Sequence, residues 1–408
     1  MTGQGKELIF WIGPLCDEAE LEGMIQRREC ATASANLAEW NYLKYFAQMY
    51  DVPIVVWSAL RTIEYPKNSR FSYPSRRVEY FLDDRIELHN VGYCNLFGIS
   101  HLSREHSLVR AAKDYARQLD EGTFVQLFVY SMHLPFMRAA AAFKRIHPNC
   151  SYKLIVPDLP LNMDTSTPIR RVLKQIDWAR IRREESAVDG FVLYTKQMAD
   201  YLDLSPCDYM VCEGVADLDL LSSPRYEIPQ EPHRDRVCIY VGSLDKEYRV
   251  ENLVMAFGQI DDSHARLEVY GTGSGEAEVR AACESIRSAY FGGFIPNAVA
   301  RERVSRAFLV INPRPTNLPC ASYSCPSKTL EAMASGTAML TTRLSGIPLS
   351  YQERLLILDD SSISAMASSL YRALSLDAGE INRIGKEARC FIQGRSEQLI
   401  REIWNFKR

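Results

Sequence analysis

The segment PSKTLEAMASG, residues 326–336, gathers residue types that could hold a phosphate. Pro326 suits the start of a helix because its missing N–H would be unpaired there anyway. Ser327, Lys328 and Thr329 would present backbone N–H groups, a hydroxyl and an ammonium at the positive helix end, which favours an anion. Glu331 falls within the first turns, where a carboxylate can reach ribose hydroxyls. Leu330, Met333 and Ala334 would face the core, and Gly336 would end the helix. The same string is also simply a good helix start with a favourable acidic residue, and spacing alone does not choose between the two readings.

Three glycine turns precede it. In CIYVGSLDKEY an apolar run enters Gly242 and Ser243, where glycine lets backbone approach a ligand, or forms an ordinary turn. In LEVYGTGSGEAEV, Gly271, Gly273 and Gly275 are spaced G-x-G-x-G rather than G-x-G-x-x-G, which favours a tight turn beside a nucleotide over a nicotinamide or flavin fingerprint. In YFGGFIPNAVA, Gly292 and Gly293 could bring backbone against a flat base at Phe294 and Ile295, or lead into a helix at Pro296 and Asn297. In the first half, His133 (VYSMHLPF) and Asp158 (VPDLP) each follow an apolar run. His133 could meet a bound sugar, or be satisfied at a helix start. Asp158 could face an acceptor, or cap a turn before Pro160. No metal is expected: the cysteine pairs 207/212 and 320/325 have neither CxxC spacing nor a His pair nearby, and the DxD-like triplet 217–219 lies in a linker-like stretch.

Alternating short strands and helices must position these groups. Apolar runs at 8–12, 53–57, 124–130, 153–156 and 191–194 read as strands, with helical patterns at 35–49, 108–119 and 169–185. The alternation repeats with strands at 237–241, 267–270, 308–311, 338–341 and 355–358, and helices at 251–259, 275–286, 298–305 and 328–334. Nearly continuous apolar strands between helices indicate parallel sheets covered on both faces. Two such sets predict an α/β chain of two Rossmann-like doubly wound domains, residues 1–215 and 216–385, with a ligand cleft between them. A linker is expected at 217–236, which carries three prolines and many charges, and a final helix of about 386–408 should pack back on the first domain.

Bulk properties limit the function. The 408 residues carry a formal net charge of -3, giving no basic field for nucleic acid. No run of about 18 apolar residues marks a membrane span, and the N-terminus lacks signal-peptide features. The 11 cysteines are scattered and several sit in apolar runs, as in reduced cytoplasmic proteins. Residues 170–183 hold six basic residues among apolar ones. They form a solvated helix face with acidic partners, or a peripheral contact with the inner face of a membrane.

The order strand, NPR, PSK, LEAMASG, strand, preceded by GSL, GTGSGE and FGGFIP, resembles the retaining GT-B-fold glycosyltransferases related to glycogen synthase and to bacterial polysaccharide glycosyltransferases. The resemblance covers residues 237–348 well and the first half more loosely, through VPDLP and CEGVADLD. It implies a UDP- or GDP-linked sugar donor on the second domain, a glycan or lipid-linked acceptor on the first, retention of anomeric configuration, and no metal or cofactor. By the same resemblance Glu331 holds the nucleotide ribose. Thr329 and Leu330 offer N–H groups to the diphosphate, Phe294 and Ile295 meet the base, and Gly13 (WIGPL) faces the phosphates. The sequence departs from the family at three positions. Tyr323 stands where the first of two glutamates is usual. Ser243 and Tyr248 stand where a phosphate-binding Arg and Lys are usual, with Lys246 displaced from that place. Lys328 and Arg314 are candidates to compensate, and some polysaccharide glycosyltransferases carry a PSK-type block like this one.

The expectation is therefore hexose transfer in cell-surface polysaccharide biosynthesis, with His133, Lys328 and Glu331 closest to the chemistry. Donor contacts are expected from Gly13, Gly242, Ser243, Lys246, Gly271, Phe294, Ile295, Arg314, Tyr323, Ser327, Thr329 and Leu330, and an acceptor contact from Asp158. A non-catalytic partner subunit and a sugar-nucleotide epimerase of the same fold are the alternatives.

Overall fold

The computed structural model describes residues 6–27, 29, 33–80, 85–159, 168–231 and 235–408. The chain forms two compact units: residues 1–215 with 397–408, and residues 216–396.

The first unit is built on an eight-stranded sheet. Its order is Tyr209–Val211, Gly190–Leu193, Cys150–Val156, Phe124–Tyr130, Glu7–Gly13, Ile54–Ser58, Ile86–Asn90 and Arg76–Tyr80. All neighbours pair parallel except the last two, which are antiparallel. The central strands are uninterrupted apolar runs because both faces are covered, so Ile9, Phe10, Trp11 and Ile12 are fully buried. The strand order reverses between Glu7–Gly13 and Phe124–Tyr130, so Gly13 and the residues just after Tyr130 lie at the switch point where such sheets bind ligands.

The end of the chain closes this unit. Helix Ala378–Asn405 belongs to the second unit up to Ser396 and to the first from Glu397. Within the first unit the Trp404 carbonyl accepts from Lys153 Nζ (3.2 Å) and Gln126 Nε2 (3.3 Å). The Trp404 ring stacks on Tyr50 at 3.9 Å between centroids. Burial pulls the Lys153 ammonium down to about 7.

The second unit has six parallel strands in the order Ala289–Gly293, Ala265–Tyr270, Arg236–Val241, Leu309–Asn312, Met339–Thr342 and Leu356–Leu358. This is the 3-2-1-4-5-6 order of the Rossmann sheet. Its switch point lies between Arg236–Val241 and Leu309–Asn312, so Gly242 and Asn312 sit at the place where a nucleotide would bind.

The stretch read as a linker is firmly attached to the second unit. Asp217 caps the short helix Leu218–Ser222, accepting from the Asp219 and Leu220 N–H groups. Its other oxygen pairs with Arg301 at 2.5 Å. Arg225 donates to the Gly336 carbonyl (3.2 Å) and the Asn382 carbonyl (2.7 Å). Proline and charge density there mark irregular backbone whose polar groups are bonded, not a free tether. Residues 232–234 of that stretch lie outside the described residues, as does Pro160.

Candidate active site

Helix Ser327–Ser335 starts after Pro326, whose side chain offers no cap, and ends at Gly336 with φ +75°. The Ser327 and Lys328 N–H groups therefore have no partner within the helix, whereas the Thr329 N–H donates to the Pro326 carbonyl (2.9 Å). Thr329 and Leu330 are buried. The Thr329 hydroxyl has no hydrogen-bond partner, nor has the side-chain N–H of Asn312, and both atoms are buried. Buried polar atoms that the protein itself leaves unbonded at a sheet's switch point are groups a ligand can satisfy.

Lys328 reaches across to the Gly242 turn. A Cβ on Gly242 would lie 2.7 Å from Lys328 Cε and 2.9 Å from Nζ. Glycine thus leaves room there for the end of the lysine side chain. Lys328 is half-buried, and Glu331 is one turn along the same helix. Burial pulls the Lys328 ammonium below its ordinary range, while Glu331 pulls it back up. Neither side chain has a hydrogen bond or ion pair within the described residues, which leaves both available to a ligand.

The three glycine turns interlock behind this pair. Gly242 N–H donates to the Tyr270 carbonyl (2.9 Å), Leu244 N–H to Thr272 (2.9 Å), Gly275 N–H to Leu244 (2.7 Å) and Gly271 N–H to Gly293 (2.9 Å). Cβ atoms on Gly271, Gly273 and Gly275 would strike backbone atoms of Gly242, Leu244 or Asp245 at 1.7, 2.4 and 2.8 Å. The G-x-G-x-G motif is explained by one turn packing against another. Ser243 is fixed too: its hydroxyl donates to Asp245 (2.5 Å), and its carbonyl accepts from Tyr240 (2.5 Å). Bonds from Ser243 and Ser274 hold the Asp245 carboxyl below its usual range.

The remaining expected donor residues divide. The Arg314 guanidinium lies over the Tyr248 ring, 5.0 Å from its centroid. A cation therefore stands where the family's lysine is replaced by tyrosine. Lys246 instead pairs with Glu278 on the exposed surface. Phe294 is 61% exposed just after strand Ala289–Gly293, and Ile295 packs half-buried against the core beside Val241 and Tyr270. Tyr323 is half-buried in the loop ahead of the helix, next to Ser322, whose hydroxyl meets Ser345 at 2.9 Å.

In the first unit, Gly13 lies against Glu39. A Cβ there would fall 1.9 Å from the Glu39 carboxyl, which accepts from Trp11 Nε1 at 2.7 Å. Burial raises the Glu39 carboxyl well above its usual range. His133 precedes helix Leu134–Ile146 and does not cap it. Burial, then Arg61, Arg104 and His101, hold its imidazole well below the ordinary range, so it is neutral at pH 7. Its Nδ1 is buried without a partner. Asp158 follows strand Cys150–Val156, and its charge is felt by Arg61.

Sequence reasoning did not single out Glu39, Arg61, Arg104 or Asn312. Asn312 could have been found as the polar residue ending a strand. The others come together only through contacts between distant segments. Among the described residues no cluster of three or more His, Cys, Asp or Glu forms a metal site, and no helix is long and apolar enough to cross a membrane. Along residues 170–183, Arg180 pairs with Asp177 (3.5 Å) and Glu105 (3.6 Å), and Arg182 with Glu185 (2.8 Å). Arg180 and Arg182 are thus partnered by acidic groups of their own unit, while Arg183 is exposed. The side chains of Arg170, Arg171 and Lys174 lie outside the described residues.

Residues 235–375 match the family model described as glycosyl transferases group 1. Solved structures share the fold over nearly the whole chain. Sucrose-phosphate synthase from Thermosynechococcus elongatus is 16% identical with a TM-score of 0.64, covering 97% of this chain and 99% of its own. A UDP-forming α,α-trehalose-phosphate synthase from Burkholderia xenovorans, solved in complex with glucose-6-phosphate, is 11% identical with a TM-score of 0.63, covering 98% and 99%. The trehalose-6-phosphate synthase OtsA is 10% identical with a TM-score of 0.63, covering 97% and 98%. No curated protein sequence matches the chain.

Proposed function

We propose that this chain, a GT-B-fold protein whose residues 235–375 carry the group 1 glycosyl transferase pattern, is a retaining, metal-independent glycosyltransferase. It takes a hexose-type sugar from a UDP- or GDP-linked donor held by the second unit. The acceptor, a glycan or a lipid-linked sugar of cell-surface polysaccharide synthesis, binds the first unit. The observation that carries this reading is the Lys328 ammonium lying over Gly242 at the switch point of a Rossmann sheet, beside a helix N-terminus and the buried Thr329 hydroxyl.

In the transfer, the bond between the anomeric carbon and the diphosphate breaks. The electron pair goes to the diphosphate oxygen, the acceptor oxygen bonds to the anomeric carbon, and the acceptor's hydroxyl proton passes to the departing diphosphate oxygen. Negative charge therefore grows on the leaving diphosphate, and fixed donors aimed at it lower the barrier. Lys328, the first N–H groups of helix Ser327–Ser335 and Arg314 on Tyr248 are the groups available for this. Glu331 is placed to accept from the ribose hydroxyls, and Phe294 offers an exposed ring to the base. His133, neutral, can donate or accept a hydrogen bond to a sugar without adding charge. The hydrogen-bonded backbone of the glycine turns keeps these groups in place without reorganisation.

The test is nucleotide release from UDP- and GDP-hexoses in the presence of candidate acceptors, with the anomeric configuration of the product read by NMR. Release with retention supports the proposal. Stable binding to another glycosyltransferase with no release from any common donor would point to the non-catalytic partner instead. A donor epimer formed without acceptor would point to the epimerase.

A further inference from the structure

The first unit holds a buried arginine and a half-buried one that no carboxylate among the described residues pairs. Arg104, on helix Ser100–Ala116, is 5% exposed. Its guanidinium lies 4.6 Å from the centroid of the Tyr93 ring and donates to Ser100 Oγ at 3.3 Å, and its Nε is buried without a partner. Arg61 is brought to the same place through Tyr93. The Tyr93 hydroxyl donates to the Leu60 carbonyl (2.8 Å) and meets the Thr62 hydroxyl (3.0 Å), so both neighbours of Arg61 rest on the ring that carries Arg104. The two cations are close enough that Arg104 depresses the Arg61 guanidinium, after burial itself. Neither makes an ion pair within the described residues.

Imidazoles complete the cluster. His101, on the same helix as Arg104, meets the ring of His133 edge-on, with centroids 5.2 Å apart. His133 feels Arg61, Arg104 and His101, and its Nδ1 is buried and unpartnered. Asp158 and Glu39 act on Arg61; Asp177 and Glu105 act on His101 but are themselves paired with Arg138 and Arg180. Burial pushes Glu39 toward its neutral form, which leaves positive charge in excess. An uncompensated buried guanidinium is costly, and a structure retains one where a ligand supplies the missing anion.

We infer that Arg61 and Arg104, with His133 beside them, form an oxyanion site in the first unit that takes a phosphate group of the acceptor. Arginine suits this because its planar fork meets phosphate oxygens two at a time. Two sources of that phosphate fit the surroundings. Asn95 accepts from Ser100, the residue that Arg104 contacts, and its backbone also bonds Tyr65 and Phe71. Around it Phe71, Phe97, Ile99 and Leu102 are 50% to 77% exposed. An apolar rim beside an anion site would suit a lipid phosphate, whereas the cluster by itself would suit a soluble sugar phosphate. The assignment of this phosphate to an acceptor rests on the proposed glycosyl transfer; the oxyanion site does not.

The test is a thermal-shift titration of the full chain with inorganic phosphate, run beside UDP and GDP, and vesicle sedimentation with phosphatidic acid against phosphatidylcholine. Wild-type protein should be stabilised by phosphate. Arg61→Gln, at a half-exposed position, should bind phosphate at least tenfold more weakly, and Arg104→Lys should weaken it similarly if that variant folds. Lys328→Ala should retain the effect. Sedimentation with phosphatidic acid that is lost in Arg61→Gln identifies a lipid source; phosphate stabilisation without sedimentation identifies a soluble one. Phosphate binding that is absent, or equal in wild type and Arg61→Gln, overturns the site. Phosphate binding without any nucleotide binding keeps the site and overturns the glycosyltransferase reading.

Discussion

Lys328 and Gly242 share one space: the lysine Nζ stands 2.9 Å from where a Cβ on residue 242 would be. The atoms in conflict are the flexible end of a side chain, so Gly242→Ala can be accommodated by moving the ammonium. Stability should change by less than about 1 kcal/mol, while nucleotide affinity falls on the order of tenfold, about 1.4 kcal/mol. Parallel chemical denaturation and calorimetric titration read the two effects. An unchanged affinity in Gly242→Ala would show that the ammonium does not meet the nucleotide where it stands.

Gly271 gives the opposite expectation. Its φ is +145°, and a Cβ there would lie 1.7 Å from the Gly242 carbonyl oxygen, a rigid backbone atom. Gly271→Ala must distort two turns at once, and should cost roughly 2 kcal/mol or more of folding stability. Denaturant midpoints of the two alanine variants should therefore differ clearly, with Gly271→Ala the lower.

The Lys153 ammonium, bonded to the Trp404 carbonyl, predicts a pH dependence. Its folded value is about 7 against an ordinary 10.5. Between these values the unfolded chain binds the extra proton, so stability contributed at this site rises as pH goes from about 7 to 10.5, and the full cost of burying the charge is present below 7. Lys153→Met removes this dependence while leaving the Gln126 side-chain oxygen without this donor and the Trp404 carbonyl with Gln126 Nε2 alone. Melting temperature measured across pH 6.5–9.5 should climb less steeply in Lys153→Met than in wild type; identical slopes would refute the assignment.

Much of this fold is written in the chain because its central strands are buried on both faces. Residues 124–130 form a strand over the span that its apolar run marks, and the PSKTLEAMAS string forms a helix from Ser327 to Ser335. Edge elements are harder to read. Arg76–Tyr80 carries two arginines and a glutamate, and Ala289–Gly293 exposes Tyr290, so neither shows an apolar run. Helix Leu134–Ile146 is buried from Leu134 to Phe143 except at Arg138, so that stretch reads as an apolar run continuing the strand before it. The donor side was legible because Gly242, Gly271 and Lys328 belong to local motifs. The Arg61–Arg104 cluster was not, because segments about forty residues apart meet only through Tyr93. Lys246 illustrates a further limit: its type and place fit a phosphate contact, yet Glu278, in the first turn of helix Glu276–Ser285, is close enough to hold it.

The central claim is that the second unit binds a nucleoside diphosphate through Lys328. Calorimetric titration of UDP and GDP into wild type and Lys328→Ala tests it most directly. One nucleotide should bind wild type, and the variant should bind it roughly 10- to 100-fold more weakly, the loss of about 1.5–3 kcal/mol expected for one charge-assisted hydrogen bond. Equal affinity in the two proteins, or no binding of either nucleotide to wild type, would contradict the account.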